Sequence, residues 1–490
     1  MVDSQMNLEE IIKRVIKEIT AKDVIENKEN HNCKGKCKIS GGCKCNKKEL
    51  NEKYLFDNAD EAVNAAKEAY EKLKKLSVRD REKIIEGIRK KCLDYSEKIA
   101  KMAVEETGMG KYDHKVLKHV LVAEKTPGTE DIVTTAWTGD EGLTLVEKGA
   151  FGVIAAITPS TNPTVTVFCN SIGMIAGGNT VVFAPHPGAK NCSNYAVKLI
   201  NEASIEAGGP ENIVVSFKEP SIENTNNLMK HKDVTLISAT GGPGVVLQAL
   251  SSGKRAIGAG AGNPPVLVDE TADIKKAAKD ILDGATFDNN LPCIAEKEVV
   301  AVSEICDELI ENMTLFGAYL IKDKNIIKRL EDLVLINKNG KRILNREFVG
   351  KDAKVILDKL SIDVDDSIRC IIFEGDYEDA LIQEELMMPI LGVVRVKDLD
   401  EGIDIAVKLE HGNRHSAHMH SKNVNNLTRF AKAVDTAIFV KNAPSYSAIG
   451  FGAEGFATFT IASKTGEGLS SASTFTKNRR CVLKDGLCIR

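Results

Sequence analysis

Hydrophobic side chains fall at helical spacing from the start of the chain. In the stretch NLEEIIKRVIKEI, residues 7–19, Leu8, Ile11, Ile12, Val15, Ile16 and Ile19 form one stripe, with Glu9, Glu10, Lys13, Arg14, Lys17 and Glu18 opposite. Asn7 with Glu10 three residues on matches a capping box. A helix this short is marginal alone in water, so its stripe calls for a surface to lie on. Residues 21–50 then turn polar, rich in Lys, Asn and Gly, which is the composition of a flexible tether. Packing on its own protein is the plain reading of such a helix; the tether behind it favours an address tag.

Beyond residue 50 the pattern changes to two helical stretches, beginning at DNADEAVNAAKEAYEKLKKL, and then to short β-branched runs alternating with helices. GVIAAITPS (152–160), NTVVFAPH (179–186) and DVTLISAT (233–240) read as strands, with helical stretches such as NYAVKLINEAS between them. Strands alternating with helices predict βαβ units and a parallel sheet. A second cycle of the same kind starts near PPVLVDETADIKKAAKDIL and runs to about Ala443. At 490 residues the chain exceeds what one core supports, so the prediction is an α/β protein of two main lobes.

Composition adds mainly exclusions. Lys+Arg 66 against Asp+Glu 70 leaves a formal charge of -4, which steers the protein toward neither nucleic acid nor an anionic membrane. No apolar run approaches the roughly 20 residues a bilayer span needs, and the first residues lack the pattern of a secretory signal, so a cytoplasmic location is expected. The 12 cysteines show no disulfide-framework spacing and read as reduced thiols. Four of them, Cys33, Cys37, Cys43 and Cys45, lie in the tether among lysines. Their gaps match neither Cys-x2-Cys zinc pairs nor ferredoxin spacing, which favours a solvated basic linker with oxidisable thiols over a metal site.

Candidate chemistry gathers at four places. After DVTLISAT, the run GGPGVVLQAL sets Gly241, Gly242 and Gly244 at a strand-to-helix turn, where backbone amides can approach a pyrophosphate. GAGAGNPP (258–265) is glycine-rich too, but neither run is a Gly-x-Gly-x-x-Gly fingerprint. In FDNNLPCIAEKEVV, Cys293 follows turn-forming polar residues and precedes an apolar run, a setting that fits either a packed thiol or a nucleophile at a loop end. The histidines of EHGNRHSAHMHS (His411, His415, His418, His420) have only one acid beside them, Glu410, and no cysteine to complete a metal set, and no metal site is expected.

Seven motifs in order, TPSTNPT, FAPHPGAK, SATGGPGVV, GAGAGNPPVLVDETAD, FDNNLPCIAEKEV, EELMMPILGVV and KNAPSYSAIGFG, resemble those of the CoA-acylating aldehyde dehydrogenases of the acetaldehyde/propionaldehyde type found in bacterial microcompartments. The resemblance covers nearly all of the chain from about residue 50. It implies a Rossmann-type lobe binding NAD and coenzyme A (51–257, with an oligomerisation segment at about 131–149), a catalytic lobe (258–443), and a return to the cofactor lobe with a C-terminal oligomerising strand in CVLKDGLCI (444–490). It also implies Cys293 as the nucleophile and Asn162, with the Cys293 backbone N–H, as the oxyanion donors. Thr158, Pro159, Ser160, Pro185, His186, Thr240, Gly241, Gly242 and Gly260 become cofactor-binding positions, and Glu385 the carboxylate for the nicotinamide ribose. The histidine-rich segment becomes a structural strand of the catalytic lobe.

Hydrolytic relatives carry a glutamate in Glu-Leu-Gly-Gly-Lys as the base for water, and the matching GAGAGNPP has no acid. Likewise FAPHPGAK has Ala184 and Pro187 where hydrolytic relatives have a lysine and often a glutamate that hold the adenine ribose, which fits a pocket admitting both NAD and CoA. The expected reaction is CoA-dependent oxidation of a short-chain aldehyde, such as propionaldehyde or acetaldehyde, to acyl-CoA through a Cys293 thioester. The alternatives are a hydrolytic enzyme giving a free acid and an inactive adaptor using only the N-terminal helix. The resemblance further implies a homodimer or homotetramer and delivery to a microcompartment, with residues 7–19 binding a shell or cargo protein.

Overall fold

A computed structural model describes residues 53–338 and 340–489 of the chain. The amphipathic stretch 7–19, the tether 21–50 and its four cysteines lie outside the described residues.

The first lobe is a six-stranded, all-parallel sheet. Its strands are β1 (Leu55–Phe56), β2 (Val153–Thr158), β3 (Thr180–Pro185), β4 (Val214–Phe217), β5 (Val234–Thr240) and β6 (Arg255–Ala259), in the spatial order β1-β4-β3-β2-β5-β6. The central strands are apolar along their whole length because both faces are covered. Ile154 and Ala156 of β2 face one core with Phe168 and Ile172, whereas Val153, Ala155 and Ile157 face another with Ala62 and Ala66. From β2 the chain steps through β3 to β4 and then returns to the far side of β2 as β5. Such a reversal opens a crevice at the C-terminal edge of the strands, the place where doubly wound sheets bind ligands. Thr158 pairs with Pro185 there, and Thr240 with Ala259.

The second lobe is a seven-stranded parallel sheet: β7 (Pro265–Val268), β8 (Glu298–Val302), β9 (Ala318–Ile321), β10 (Cys370–Glu374), β11 (Ile390–Val396), β12 (Ser416–His420) and β13 (Ile438–Lys441), ordered β9-β10-β11-β8-β7-β12-β13. The strand that follows Cys293, β8, lies in the middle, between β7 and β11. Four helices bear on the site: α1 (Tyr112–Lys125), α2 (Pro163–Ala176), α3 (Pro243–Leu250) and α4 (Ile274–Ala285).

Two expected boundaries shift. The lobe change at 257/258 falls inside β6, where Ile257, Gly258 and Ala259 still pair with Ser238, Ala239 and Thr240; the change of sheet therefore comes after Ala259. The C-terminal strand runs over Thr476–Lys484 rather than 481–489, because Asp485 and Leu487 take positive φ (58° and 57°) and end the extended run. That strand pairs antiparallel with Gly142–Ala150, which also pairs with Thr135–Gly139, forming a separate three-stranded sheet from the two segments assigned to oligomerisation. Before it, Ala462, Ala472 and Phe475 rejoin the core of the first lobe. The eight cysteines among the described residues are all free.

One buried side chain joins these parts. The Asn179 amide accepts the N–H groups of Phe151 (2.7 Å) and Gly152 (3.0 Å) and donates to the carbonyls of Met174 and Phe475 (both 2.9 Å), locking the start of β2 and the entry to the C-terminal strand. Asn179→Ala removes these four bonds, although the Met174 carbonyl keeps the Asn179 backbone N–H (2.9 Å); each lost bond costs on the order of 1 kcal/mol. Urea unfolding of this variant should show a loss of about 2–4 kcal/mol; a loss below about 0.5 kcal/mol would show that water replaces the amide.

Candidate active site

Cys293 sits beyond a turn whose backbone is left-handed for three residues running: Asp288, Asn289 and Asn290 have φ of 49°, 55° and 66°. An ordinary L residue loses about 1–2 kcal/mol in this region, and Asp and Asn tolerate it best. Side-chain bonds hold the turn. Asn289 Nδ2 donates to Gly350 O (2.9 Å) and Asp352 Oδ1 (3.0 Å), and Asn290 Nδ2 donates to Ala285 O (2.9 Å) and Glu296 O (2.8 Å). The sequence DNN before the thiol is thus the chemistry of this bend.

Asp288 is fully buried and ties the turn to α1. Its carboxylate accepts the Lys111 backbone N–H (2.8 Å), the Lys115 ammonium (3.0 Å) and the Lys118 ammonium, while its own N–H donates to His114 Nδ1 (2.7 Å). Lys118 reaches further, donating to Asn162 Oδ1 at 2.5 Å. Burial works to raise Asp288, but the two ammoniums outweigh it and hold the carboxyl below its usual range. Burial pulls Lys118 down to about 8 against the pull of Asp288, and pushes His114 and His119 down to about 3, so both imidazoles are neutral. Asn162 occupies the N-cap position of α2, yet its side chain makes no cap bond. Its oxygen belongs to Lys118 instead.

On the other side of Cys293, the buried Lys297 donates to Asn290 O (3.0 Å) and Oδ1 (2.6 Å) and lies 3.9 Å from Glu385 Oε1. Cys293 is half-buried, and desolvation pushes its thiol up to about 12; Glu385 adds to the rise, whereas Lys297 and the cysteine's own N–H oppose it. Burial also raises Glu385, with Lys297 and the Gly262 N–H pulling the other way. Gly262 has no room for a side chain, since a Cβ would lie 2.8 Å from Cys293 O and 2.9 Å from the His415 ring. The buried strand β12 carries His418, whose Nε2 lies 3.0 Å from Ile294 O, and His411 in the preceding turn meets Gln383 Oε1 at 3.0 Å.

The structure brings Thr158, Pro185, His186, Thr240, Gly241 and Gly242 to the C-terminal edge of the first sheet. Pro159 and Ser160 lie in the loop from β2 to Asn162, and Gly260 follows β6. The residues fit a dinucleotide. Thr158 Oγ1 is buried without a partner, α3 is preceded by Gly242 as an N-cap residue with no side-chain bond, and a Cβ on Gly242, Gly244 or Gly260 would meet nothing within 4 Å. An open, uncapped helix start is where phosphate oxygens bind. Sequence reasoning passed over Lys115, Lys118 and Lys297. The one available signal was on α1, where His114, Lys115, Lys118 and His119 share a helix face with no acid among them, so that a partner must come from elsewhere.

The model of the aldehyde dehydrogenase family matches residues 53–458. A propanal dehydrogenase (CoA-propanoylating) of Salmonella typhimurium is 44% identical over 439 residues, covering 89% of this chain and 94% of the relative. The structure of a propionaldehyde dehydrogenase from the Clostridium phytofermentans fucose utilisation bacterial microcompartment is similar with a TM-score of 0.88 and 64% identity, over 90% of this chain and all of that one. A Rhodopseudomonas palustris propionaldehyde dehydrogenase, solved with bound CoA and an acylated cysteine, matches with a TM-score of 0.87 and 54% identity over 89% of this chain and 99% of that one.

Because the unliganded thiol is held protonated, alkylation of Cys293 by iodoacetamide should rise roughly tenfold per pH unit between about pH 7 and 10, with no plateau. At fixed pH, Glu385→Gln removes a negative neighbour and should speed it several-fold, and Lys297→Met should slow it. Mass mapping of the labelled peptide reads the rate, and two variants indistinguishable from the parent would refute this electrostatic account of the thiol.

Proposed function

The chain belongs to the aldehyde dehydrogenase family, and we propose that it oxidises a short-chain aldehyde, propionaldehyde or acetaldehyde, to the acyl-CoA with NAD as electron acceptor. The observation that carries this reading is the segment between β6 and β7. Gly262 passes against the Cys293 carbonyl, and no residue from Gly258 to Pro264 carries a carboxylate that could activate water. Glu385, the acid that bears on the thiol, is engaged by the Gly262 N–H and lies beside Lys297. A thiol acceptor needs no such base in place, because its own ionisation is far easier than that of water.

In the proposed cycle the Cys293 thiol gives up its proton to water and the resulting thiolate adds to the aldehyde carbon. An S–C bond forms, and the carbonyl π pair moves to oxygen as an oxyanion facing Asn162 Nδ2 and the Cys293 N–H. NAD would be held by Thr158–Ser160, Pro185–His186 and Thr240–Gly242 with Glu385 at its ribose, and would supply the acceptor for the hydride that leaves when the C=O bond reforms. The enzyme is left as a thioester. The CoA thiolate then attacks that carbonyl through a second oxyanion in the same place, the C–S bond to Cys293 breaks, and acyl-CoA departs with the thiolate regenerated. Neither Ala184 nor Pro187, on the two sides of Pro185–His186, carries a charge, which supports one crevice serving NAD and CoA in turn.

The three-stranded sheet, with Trp137, Val482 and Leu483 exposed, supports self-association as a dimer or tetramer. We further propose that residues 7–19 deliver the enzyme to a microcompartment by laying six aliphatic side chains in a groove on a shell or cargo protein, each contributing up to about 1.5–3 kcal/mol before ordering costs.

NADH formation from propionaldehyde should require CoA and yield propionyl-CoA, and Cys293→Ala should abolish it while leaving the fold and NAD binding intact. CoA-independent NADH formation with release of propionate would replace this reading with hydrolysis, and activity in Cys293→Ala would remove the nucleophile assignment. For the tag, residues 1–22 fused to a fluorescent protein in a compartment-forming cell should give puncta that Ile12→Glu with Ile16→Glu disperses; diffuse fluorescence from the intact fusion would eliminate it.

A further inference from the structure

Two buried ammoniums, Lys115 and Lys118, face a single buried carboxylate, Asp288, beside Asn162. A buried cation without full compensation is costly and needs a counter-charge that the resting network does not contain. The direction of the Lys118 ammonium says where that charge arises. Its bond to Asn162 Oδ1 fixes which end of the amide is oxygen, and Nδ2 donates to no group among the described residues. Neighbouring groups leave Lys118 few other options: His119 Nε2 is engaged with Thr164 Oγ1 at 2.9 Å and its Nδ1 with Lys115 O at 2.7 Å.

We propose that Lys118 is a positioning residue of the oxyanion site: held by Asp288, it grips Asn162 by its oxygen, aims Nδ2 at the reacting carbonyl oxygen, and polarises the amide so that Nδ2–H donates more strongly. This rests on the reading of Asn162 as an oxyanion donor. The advantage belongs to the transition state. When Cys293 adds and the π pair reaches oxygen, the new negative charge meets a donor already oriented and backed by a fixed cation, at no reorganisation cost. Asp288 serves both sides of the site, because the carboxylate that anchors Lys118 also opens the left-handed turn leading to Cys293.

The test compares Asn162→Ala, Lys118→Met and the double variant, each checked for NAD and CoA binding. Asn162→Ala should lower kcat on the order of 100-fold. Lys118→Met should lower kcat at least tenfold with little change in KM, and should add almost nothing in the Asn162→Ala background, since the lysine acts through the amide. Iodoacetamide alkylation, a displacement at saturated carbon that forms no oxyanion, should stay within about threefold of the parent in Lys118→Met. Should Lys118→Met not fold, Lys118→Ala assayed with added ethylammonium takes its place: recovery of turnover supports the proposal and its absence overturns it. Parent-like kcat in Lys118→Met, or losses that multiply in the double variant, would overturn the role of Lys118 while leaving Asn162 as donor. Parent-like kcat in Asn162→Ala would instead overturn the reading on which the proposal rests.

Discussion

The buried carboxylate of Asp288 is the tie on which the site depends. It accepts from Lys111, Lys115 and Lys118 on one side and belongs to the Cys293 turn on the other, so the entry to α1, Asn162 and Cys293 share one anchor. Removing one partner of a buried ion pair typically costs about 3–5 kcal/mol, because the remaining charge is left in a medium that cannot solvate it. With that constraint in place, three consecutive positive-φ residues stay in position against their own preference.

Around this anchor the protein separates two electrostatic tasks. Beside Asn162, two ammoniums and one carboxylate make the environment positive where an oxyanion would form. Beside Cys293, burial and Glu385 raise the thiol while Lys297 moderates it, so the resting nucleophile is protonated and quiet. A thiol held protonated reacts slowly with stray electrophiles. In the proposed reading the glycine segment against Cys293 governs the fate of the acyl group. It leaves space but no general base, a composition suited to a thiol acceptor rather than to water.

Much of the architecture was legible because parallel strands covered on both faces are continuous apolar runs. GVIAAITPS, NTVVFAPH and DVTLISAT correspond to Val153–Thr158, Thr180–Pro185 and Val234–Thr240. Cys293, Asn162 and Glu385 were singled out through ordered motifs, not through periodicity. The lysines were missed for a physical reason: a Lys in a helix is normally solvated, and α1 buries Lys115 and Lys118 only because Asp288, some 170 residues away in sequence, arrives to meet them. The expected lobe boundary at 257/258 falls within the strand Arg255–Ala259, so the change of sheet comes two residues later.

The central claim is that Cys293 becomes an acyl thioester that CoA, rather than water, resolves. Intact-protein mass spectrometry after incubation with propionaldehyde and NAD, without CoA, measures this directly. The account predicts a propionyl adduct confined to the Cys293 peptide, persisting until CoA is added and then disappearing as propionyl-CoA forms in equal amount. An enzyme that never carries the adduct, or one that sheds it as propionate before CoA is supplied, would contradict it.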